Sequence, residues 1–365
     1  MYLSFSPYYS GLSNVIMSYE LAFGLAMITN RTIILPRNTW VLFVSESQPD
    51  KTKWNDIWEL FDKDLAKQYV NLIEFDDVPE FANIKDKMET VKSYTGNIYN
   101  ELKDLFLWKS MRTTIADDHN VFLNDLHAFI KDEDFLNFSN KRRVDDLNRD
   151  EKFIHFENCL FGHYWYQIYP GGPQVRNRFK DKINSIFRYK NYFYEIAKQV
   201  RDVIGPYNSV HIRRSDFLHV RQDKIKTIIS SDGLLEAIER VFPKDIPLYI
   251  STDETDKSFF DKVKGQYKVY FFDDFDYQVN ALVKVALEQC ICFHSEFFYG
   301  THLSTYTKRI NIMRGLEGKQ AADYAGINSI QTENLVEVYK HYPWYYKPGK
   351  MWFWDQSSYL QWIRE

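Results

Sequence analysis

A histidine and two arginines stand together in Val210-His211-Ile212-Arg213-Arg214-Ser215-Asp216-Phe217, at what reads as the end of a strand. Ligands of open α/β sheets bind at the carboxyl ends of strands. Side chains alternate along a strand, so His211 and Arg213 share a face while Arg214 points elsewhere. The paired N–H donors of a guanidinium match diphosphate oxygens, which is the chemistry Arg213 can offer. Asp216 can hold one arginine in place or act as a base; an Arg–Asp pair at a strand end is equally a structural device. A second segment, Tyr9-Ser10-Gly11-Leu12-Ser13-Asn14, joins a strand to a helix through small residues. Such a turn leaves helix N-terminal N–H groups free to meet an anion. It has neither the Gly-Lys-Ser/Thr of a Walker loop nor a GxGxxG pattern, and by itself it reads equally as a tight turn.

The third segment is Glu296-Phe297-Phe298-Tyr299-Gly300-Thr301-His302-Leu303-Ser304-Thr305-Tyr306. A strand, a glycine turn and a Ser/Thr-capped helix start again present N–H and hydroxyl donors, as an ordinary capped helix also would. Thr252-Asp253-Glu254 repeats the strand-end placement. Two other groupings carry less. Asp274-Phe275-Asp276 has the D-x-D form of a divalent-cation chelate but lies in a loop, where acidic residues are common. Lys141-Arg142-Arg143 is a short basic run that reads as solvated surface. No His/Cys cluster has zinc spacing, and no Gly-x-Ser-x-Gly elbow occurs.

The elements that must position these groups read as repeated βα units. Tyr2 to Ser6 alternates apolar and polar until Pro7. Val15, Tyr19, Ala22 and Ala26 fall on one face of a helix that stops near Asn30, and Thr32 to Leu35 is a β-branched strand closed by Pro36. Two strands joined by such a helix form a parallel βαβ unit. Trp54, Ile57, Trp58 and Phe61 sit at helical spacing as packing residues, and Gly162–Arg178, with two glycines between two prolines, reads as an irregular loop. After Pro206 the alternation returns: strands at 209–212, 247–251, 267–272 and 297–299, and helices at 234–241, 278–289 and 304–314. This is a Rossmann-like half over about 200–325. A tail with Trp344, Trp352, Trp354 and Trp362 reads as docking on another surface.

With 365 residues, the chain has room for two domains at roughly 100–200 residues each. The net charge of -4 argues against electrostatic coating of nucleic acid. No apolar run approaches the ~18 residues of a membrane helix, and three cysteines make no disulfide framework. Together with a first strand beginning at residue 2, these features lead us to expect a cytoplasmic protein, unless a signal or anchor precedes the sequence. The 28 Phe, 26 Tyr and 9 Trp exceed what an ordinary core needs. Either codon bias supplies them, or aromatic faces stack on sugar or base rings in a cleft.

Taken in order, four segments resemble the GDP-fucose protein O-fucosyltransferase family. YLSFSPYYSGLSN with LAFGLAMITNRTIILP is similar to its opening strand, Gly-x-x-Asn turn and NRT strand; HIRRSDF resembles its His-x-Arg motif; STDE its (S/A)-T-D strand end; and FFYGTHLSTYTKRI its Phe-x-Gly segment. The match covers both ends of the core; residues 40 to 200 show none. The resemblance implies an α/β fold of the GT-B class, two Rossmann-like domains facing across a cleft. The expected organisation is an acceptor-side domain at 1–199, a donor domain at 200–325, and a tail at 326–365 packing back on the first domain. It also implies a GDP-sugar donor, no metal or other cofactor, and inverting transfer of L-fucose to a protein Ser/Thr or glycan hydroxyl.

Carried over by motif, Arg213 and Asp216 would be catalytic. Arg213 would hold the β-phosphate, His211 contact the nucleotide, and Glu296 take the place of an acidic residue that reads guanine. Ser304, Thr305 and Tyr306 would surround the pyrophosphate and base; Arg214 and Asp253 would complete the donor side. Gly11, Leu12, Ser13 and Asn14 would face the fucose. The sequence departs from the family where several members carry Glu or Arg in the turn, since Gly11 and Leu12 stand here. That leaves Asp216, with His219 behind it, as the substitute base, or a dissociative transfer without a strong base. Plant relatives with this turn use other sugars such as rhamnose, and a non-catalytic sugar-nucleotide or glycan binder is the remaining alternative.

Overall fold

The computed structural model describes residues 1–5, 7, 10–36, 39–42, 44, 55–79, 107–110, 153–157, 181–214, 230–301, 304–317 and 319. Asp216, His219, Lys141–Arg143, the segment 162–178 and the Trp-rich tail lie outside these residues. The chain divides into two compact units between Tyr189 and Lys190.

The first unit is built on a parallel sheet. Strand β1 (Tyr2–Phe5) leads through the Gly11 turn into helix α1 (Leu12–Thr29), which returns to β2 (Thr32–Leu35). Helix α2 (Lys63–Tyr69), N-capped by the Asp62 carboxylate, precedes β3 (Leu72–Glu74). Strands β4 (Leu107–Ser110) and β5 (Phe153–Glu157) complete the order β3-β2-β1-β5-β4. Leu3 pairs with Ile33 on one side and Ile154 on the other, so β1 lies centrally. β1, α1 and β2 lie where the sequence predicts them, whereas β3, β4 and β5 are not among the expected strands. Runs of four and five residues in a parallel sheet carry no distinctive period.

Helix α1 buries more than the expected single face. Ile16, Met17 and Phe23 are enclosed as fully as Val15, Tyr19, Ala22 and Ala26. Its end is set by Asn30, which takes the left-handed conformation at φ 48°, with the next amide, Arg31 N, donating to Ala26 O at 3.0 Å. Around α1 the aromatic excess finds a use. Tyr19 meets Phe5 edge-on at 4.9 Å, Phe23 meets Phe187 at 5.1 Å, and Phe61 stacks on Tyr189 at 5.2 Å. Trp58 joins the cluster from a 3₁₀ turn at Ile57–Glu59, rather than from a full helix. These rings form core, and the Tyr19 hydroxyl finds Thr39 Oγ1 at 2.6 Å.

The second unit begins with α3 (Asn191–Ile204), whose Phe193, Ala197, Val200 and Ile204 form one buried stripe. Then come β6 (Asn208–Ile212), α4 (Ser231–Glu239), β7 (Leu248–Thr252), the single turn α5 (Asp261–Lys264), β8 (Val269–Tyr270), α6 (Ala281–His294), β9 (Phe298–Gly300) and α7 (Thr305–Leu316). Strand β8 is two residues, shorter than the six-residue run in the sequence, because Phe271 and Phe272 turn into a 3₁₀ helix packed beneath the sheet edge. All pairings are parallel and the order is β8-β7-β6-β9. The order reverses at β6, which makes the carboxyl end of β6 a topological switch point, where open α/β sheets hold ligands.

Helix α3 packs along α6, which is why it belongs to the second unit. The carboxyl end of α6 is gathered by three cations. Arg314, fully buried, donates through Nη1 to the carbonyls of Cys292, Phe293 and Ser295 and through Nη2 to that of Glu296. Arg201 and Lys319 donate to His294 O and Phe293 O. Cations at a helix C-terminus satisfy its last carbonyls and oppose its dipole, which fixes where α6 hands over to β9. Among the described residues no helix is long and apolar enough to cross a membrane.

Candidate functional site

Three strand ends meet at the switch point. In register across the sheet, Ser251 of β7, His211 of β6 and Gly300 of β9 form one row. Helix α7 starts over that row. Its Tyr306 ring stacks on the His211 ring at 4.3 Å, and the Tyr306 hydroxyl lies 3.1 Å from Ser251 Oγ. Thr307 Oγ1 sits 2.8 Å from His211 Nδ1. A Cβ at Gly300 would come within 2.4 Å of Thr307 Oγ1 and 2.5 Å of its Cγ2, so only glycine lets α7 approach this closely. The motif glycine is thus required by packing against a residue seven positions later.

Two threonines clamp the chain as it leaves β6. On the β9 side the Thr301 hydroxyl donates to His211 O (3.1 Å) and accepts from Arg213 N (2.9 Å). On the β7 side the Thr252 hydroxyl donates to Ile212 O (2.8 Å) and accepts from Glu254 N (3.0 Å). Every backbone group between His211 and Arg214 named here is held by a neighbouring strand end. Sequence reasoning singled out neither hydroxyl for this purpose, because a clamp is defined by its distant partner.

Arg213 is the group this scaffold aims. Its Nη1 meets Asp253 Oδ2 at 2.9 Å, while Asp253 Oδ1 accepts from the Arg214 amide at 2.7 Å. With Arg213 19% exposed and Asp253 21%, the guanidinium is oriented without being enclosed. Arg214 turns the other way: its Nε is bound to the Glu254 carboxylate and its guanidinium lies 3.8 Å over the Phe259 ring. The alternation expected for a strand end therefore holds, with one arginine at the site edge and one committed to a structural stack.

His211 is not a cation here. Burial above all lowers its imidazole to about 3; Asp253 pulls upward and Arg213 adds to the lowering. At neutral pH it offers an uncharged ring and a hydrogen-bonding nitrogen. Ser304 caps α7 by position, its amide bonded to Thr301 O at 3.3 Å, and Thr305 opens the helix. Neither has an acidic neighbour in the first turn, so the N-terminal end of α7 keeps its partial positive charge toward this edge.

Glu296 is not brought to this edge. It precedes β9, its amide bonds to Tyr207 O at the start of β6, and its carboxylate pairs with Arg201. Four residue steps, at ~3.3 Å each in extended chain, separate it from Gly300 at the other edge. Among the described residues, the acidic group beside Arg213 is Asp253.

In the first unit, the turn at Gly11 has a different basis from the one expected. Gly11 is extended (φ -63°, ψ 162°), open to any residue, and a Cβ there would meet no described atom within 4 Å. Among the described residues, the glycine leaves space at the N-terminus of α1, whose first turn carries no acidic residue. Leu12 and Ser13 are buried, so their side chains pack and only their backbone lies at the helix end. Asn14 donates through Nδ2 to Ser10 Oγ at 2.5 Å, and its buried Oδ1 finds no partner among the described residues.

Known proteins resemble this chain in sequence and in fold. A 118-residue stretch is 30% identical to GDP-fucose protein O-fucosyltransferase 2 of Caenorhabditis elegans and 26% identical to its Homo sapiens counterpart, covering 31% of this chain. These matches span 27% of each relative's length, roughly a quarter. Among solved structures, POFUT1 in complex with GDP-fucose superposes with a TM-score of 0.50 at 16% identity, covering 89% of this chain and 95% of that one. NodZ alpha-1,6-fucosyltransferase soaked with GDP-fucose gives 0.50 at 12% identity, covering 85% and 91%. Both are GT-B proteins, and this chain shares that fold. The family model for GDP-fucose protein O-fucosyltransferase matches residues 2–317. The chain belongs to the GDP-fucose protein O-fucosyltransferase family.

Proposed function

We propose that the protein is a glycosyltransferase that moves L-fucose from GDP-fucose to a hydroxyl of a protein or glycan acceptor, with inversion and without a metal. The carrying observation is the Asp253-oriented Arg213 at the switch point, beside the uncharged His211–Tyr306 stack. Breaking a glycosyl–phosphate bond builds an oxocarbenium-like sugar and puts a second negative charge on the departing β-phosphate. A guanidinium fixed in advance by a carboxylate stabilises that charge without reorganising when it forms. The N-terminal end of α7 adds partial positive charge on the same side.

Inversion is supported by the state of the two described carboxylates at this edge. Asp253 is engaged by Arg213 and Arg214, and Glu254 by Arg214, so neither is placed as a nucleophile for a two-step retaining route. Metal independence is supported by the D-x-D pair. Asp274 accepts from the Phe271 amide at 2.7 Å, and Asp276 accepts from Gln278 at 3.0 Å, so both serve their own turn. The acceptor's proton goes to Asp216 in one version, while a dissociative transfer needs no strong base. Calorimetry with GDP and UDP, followed by assays of labelled GDP-fucose and GDP-rhamnose, tests the reading. UDP binding in preference to GDP overturns it, and turnover of GDP-rhamnose alone changes the sugar.

A further inference from the structure

The His211 ring is hydrogen-bonded through one nitrogen. Thr307 Oγ1 stands 2.8 Å from Nδ1, and among the described residues Nε2 has no partner. A neutral imidazole has one N–H and one bare nitrogen, so the proton's place at the threonine contact decides what Nε2 can do. The ring is neutral. It is 4% exposed, no described carboxylate bonds either nitrogen, and burial above all keeps it from ionising at neutral pH. We propose that Thr307 is a positioning residue that donates its hydroxyl proton to His211 Nδ1, which leaves the imidazole proton on Nε2 as a donor to an anionic oxygen of the nucleotide. This rests on the donor-site reading above.

The direction of the bond follows from what each arrangement leaves unpaired. Thr307 is 1% exposed, and its hydroxyl makes no other hydrogen bond among the described residues. A helical threonine commonly gives its proton to a carbonyl one turn back; here Nδ1 is the described acceptor. If Nδ1 carried the hydrogen, Thr307 would accept it and its own buried O–H would be left without an acceptor, the costly case for a donor. With the hydroxyl donating, the open donor is Nε2–H, and a ligand oxygen can satisfy it. The surroundings favour an anionic oxygen. Arg213, two residues on, is oriented by Asp253, and the first turn of α7, which carries Thr307, has no acidic residue. Gly300 admits the threonine to this contact, since a Cβ there would lie 2.4 Å from Oγ1.

The test reads the tautomer directly. Long-range proton–nitrogen correlation spectra of the full chain at neutral pH, with His211 assigned through its backbone amide, should show the ring proton on Nε2 in wild type and in Thr307→Ser. In Thr307→Val no hydroxyl selects Nδ1 as the acceptor, so a population with the proton on Nδ1 should appear. Calorimetry with GDP supplies a matched number. The Kd of Thr307→Val should rise by the inverse of the fraction that keeps Nε2–H, about three- to tenfold, the range of one net hydrogen bond. Thr307→Ser should bind GDP as wild type does. A threonine that only packs would change melting without moving the tautomer. Wild type with the proton on Nδ1 overturns the proposal while GDP still binds, and that spectrum decides even if Thr307→Val shows no cooperative melting. An unchanged tautomer in folded Thr307→Val overturns the part of Thr307. Wild type that carries Nε2–H but binds no GDP overturns the donor site, and the role of Nε2 with it.

Discussion

Arg213 and Asp253 meet at 2.9 Å across the ends of adjacent strands, and the other Asp253 oxygen holds the amide of Arg214. One carboxylate therefore fixes both the side chain and the backbone of the segment that would face a diphosphate. Arg213→Ala should lower transfer by about 10²–10³-fold while leaving cooperative melting intact, since the Arg213–Asp253 pair lies partly open to solvent at the sheet edge. Asp253→Asn keeps the backbone bond but releases the guanidinium, so a smaller loss, about tenfold, is expected. Single-turnover rates with GDP-fucose check both; full activity in Arg213→Ala removes the mechanism.

Gly300→Ala should destabilise the second unit. The added methyl meets Thr307, whose side chain is pinned to His211, so α7 must shift. Overpacking of this kind costs about 1–3 kcal/mol, read as a lower melting temperature. Combining it with Thr307→Ala should recover part of the loss, because the two closest atoms are gone.

Gly11→Ala should behave in the opposite way. The backbone at φ -63° accepts alanine and nothing described crowds the new methyl, so melting should change by no more than ~0.5 kcal/mol. If the open space at the end of α1 receives the sugar, KM for GDP-fucose rises. An unchanged KM would place the sugar elsewhere.

Glu296→Gln separates a motif-based role from the observed position. Bound to Arg201 at the amino edge of β9, Glu296 is out of reach of the groups around Arg213. The KM for GDP-fucose should stay within about twofold of wild type, as for loss of an exposed ion pair. A large rise would return Glu296 to the guanine site.

Acid should weaken the second unit. Burial first, with nearby cations, lowers His294 to about 4, and burial lowers His211 to about 3. Both are below the ordinary ~6.5 of an unfolded histidine, so the unfolded chain binds more protons as pH falls. Stability gained above pH 6.5 is then lost toward pH 4, at up to ~1.4 kcal/mol per histidine per pH unit. Glu288, raised to about 7, opposes this with one proton between its unfolded value and 7. Two histidines outweigh one carboxyl, so melting temperature should drop between pH 6 and 4.5. A flat profile over that range would show that these imidazoles are solvated.

Much of this protein is written locally. The Tyr2–Phe5 strand, the α1 spacing, the β-branched Thr32–Leu35 run and the βα alternation after Pro206 each carry their own period and stop signals. Types and spacing also singled out Arg213, His211 and the strand-end acid Asp253, because strand ends in such a fold are where chemistry concentrates. Strands β4 and β5 were hidden, since LWKS and FIHFE mix apolar and polar residues without clean alternation and pair with segments far away in the sequence.

Other features depend on which strand lies beside which. Strand order decides that Glu296 falls at the amino edge while Thr301, five residues on, clamps Arg213 at the carboxyl edge. Register decides that Ser251, His211 and Gly300 share a row, and the reach of α7 decides that Tyr306 and Thr307 cover it. Propensity and periodicity act over a turn or a strand, whereas these contacts join residues tens of positions apart. They exist only once burial of the sheet faces has fixed a single strand order and register.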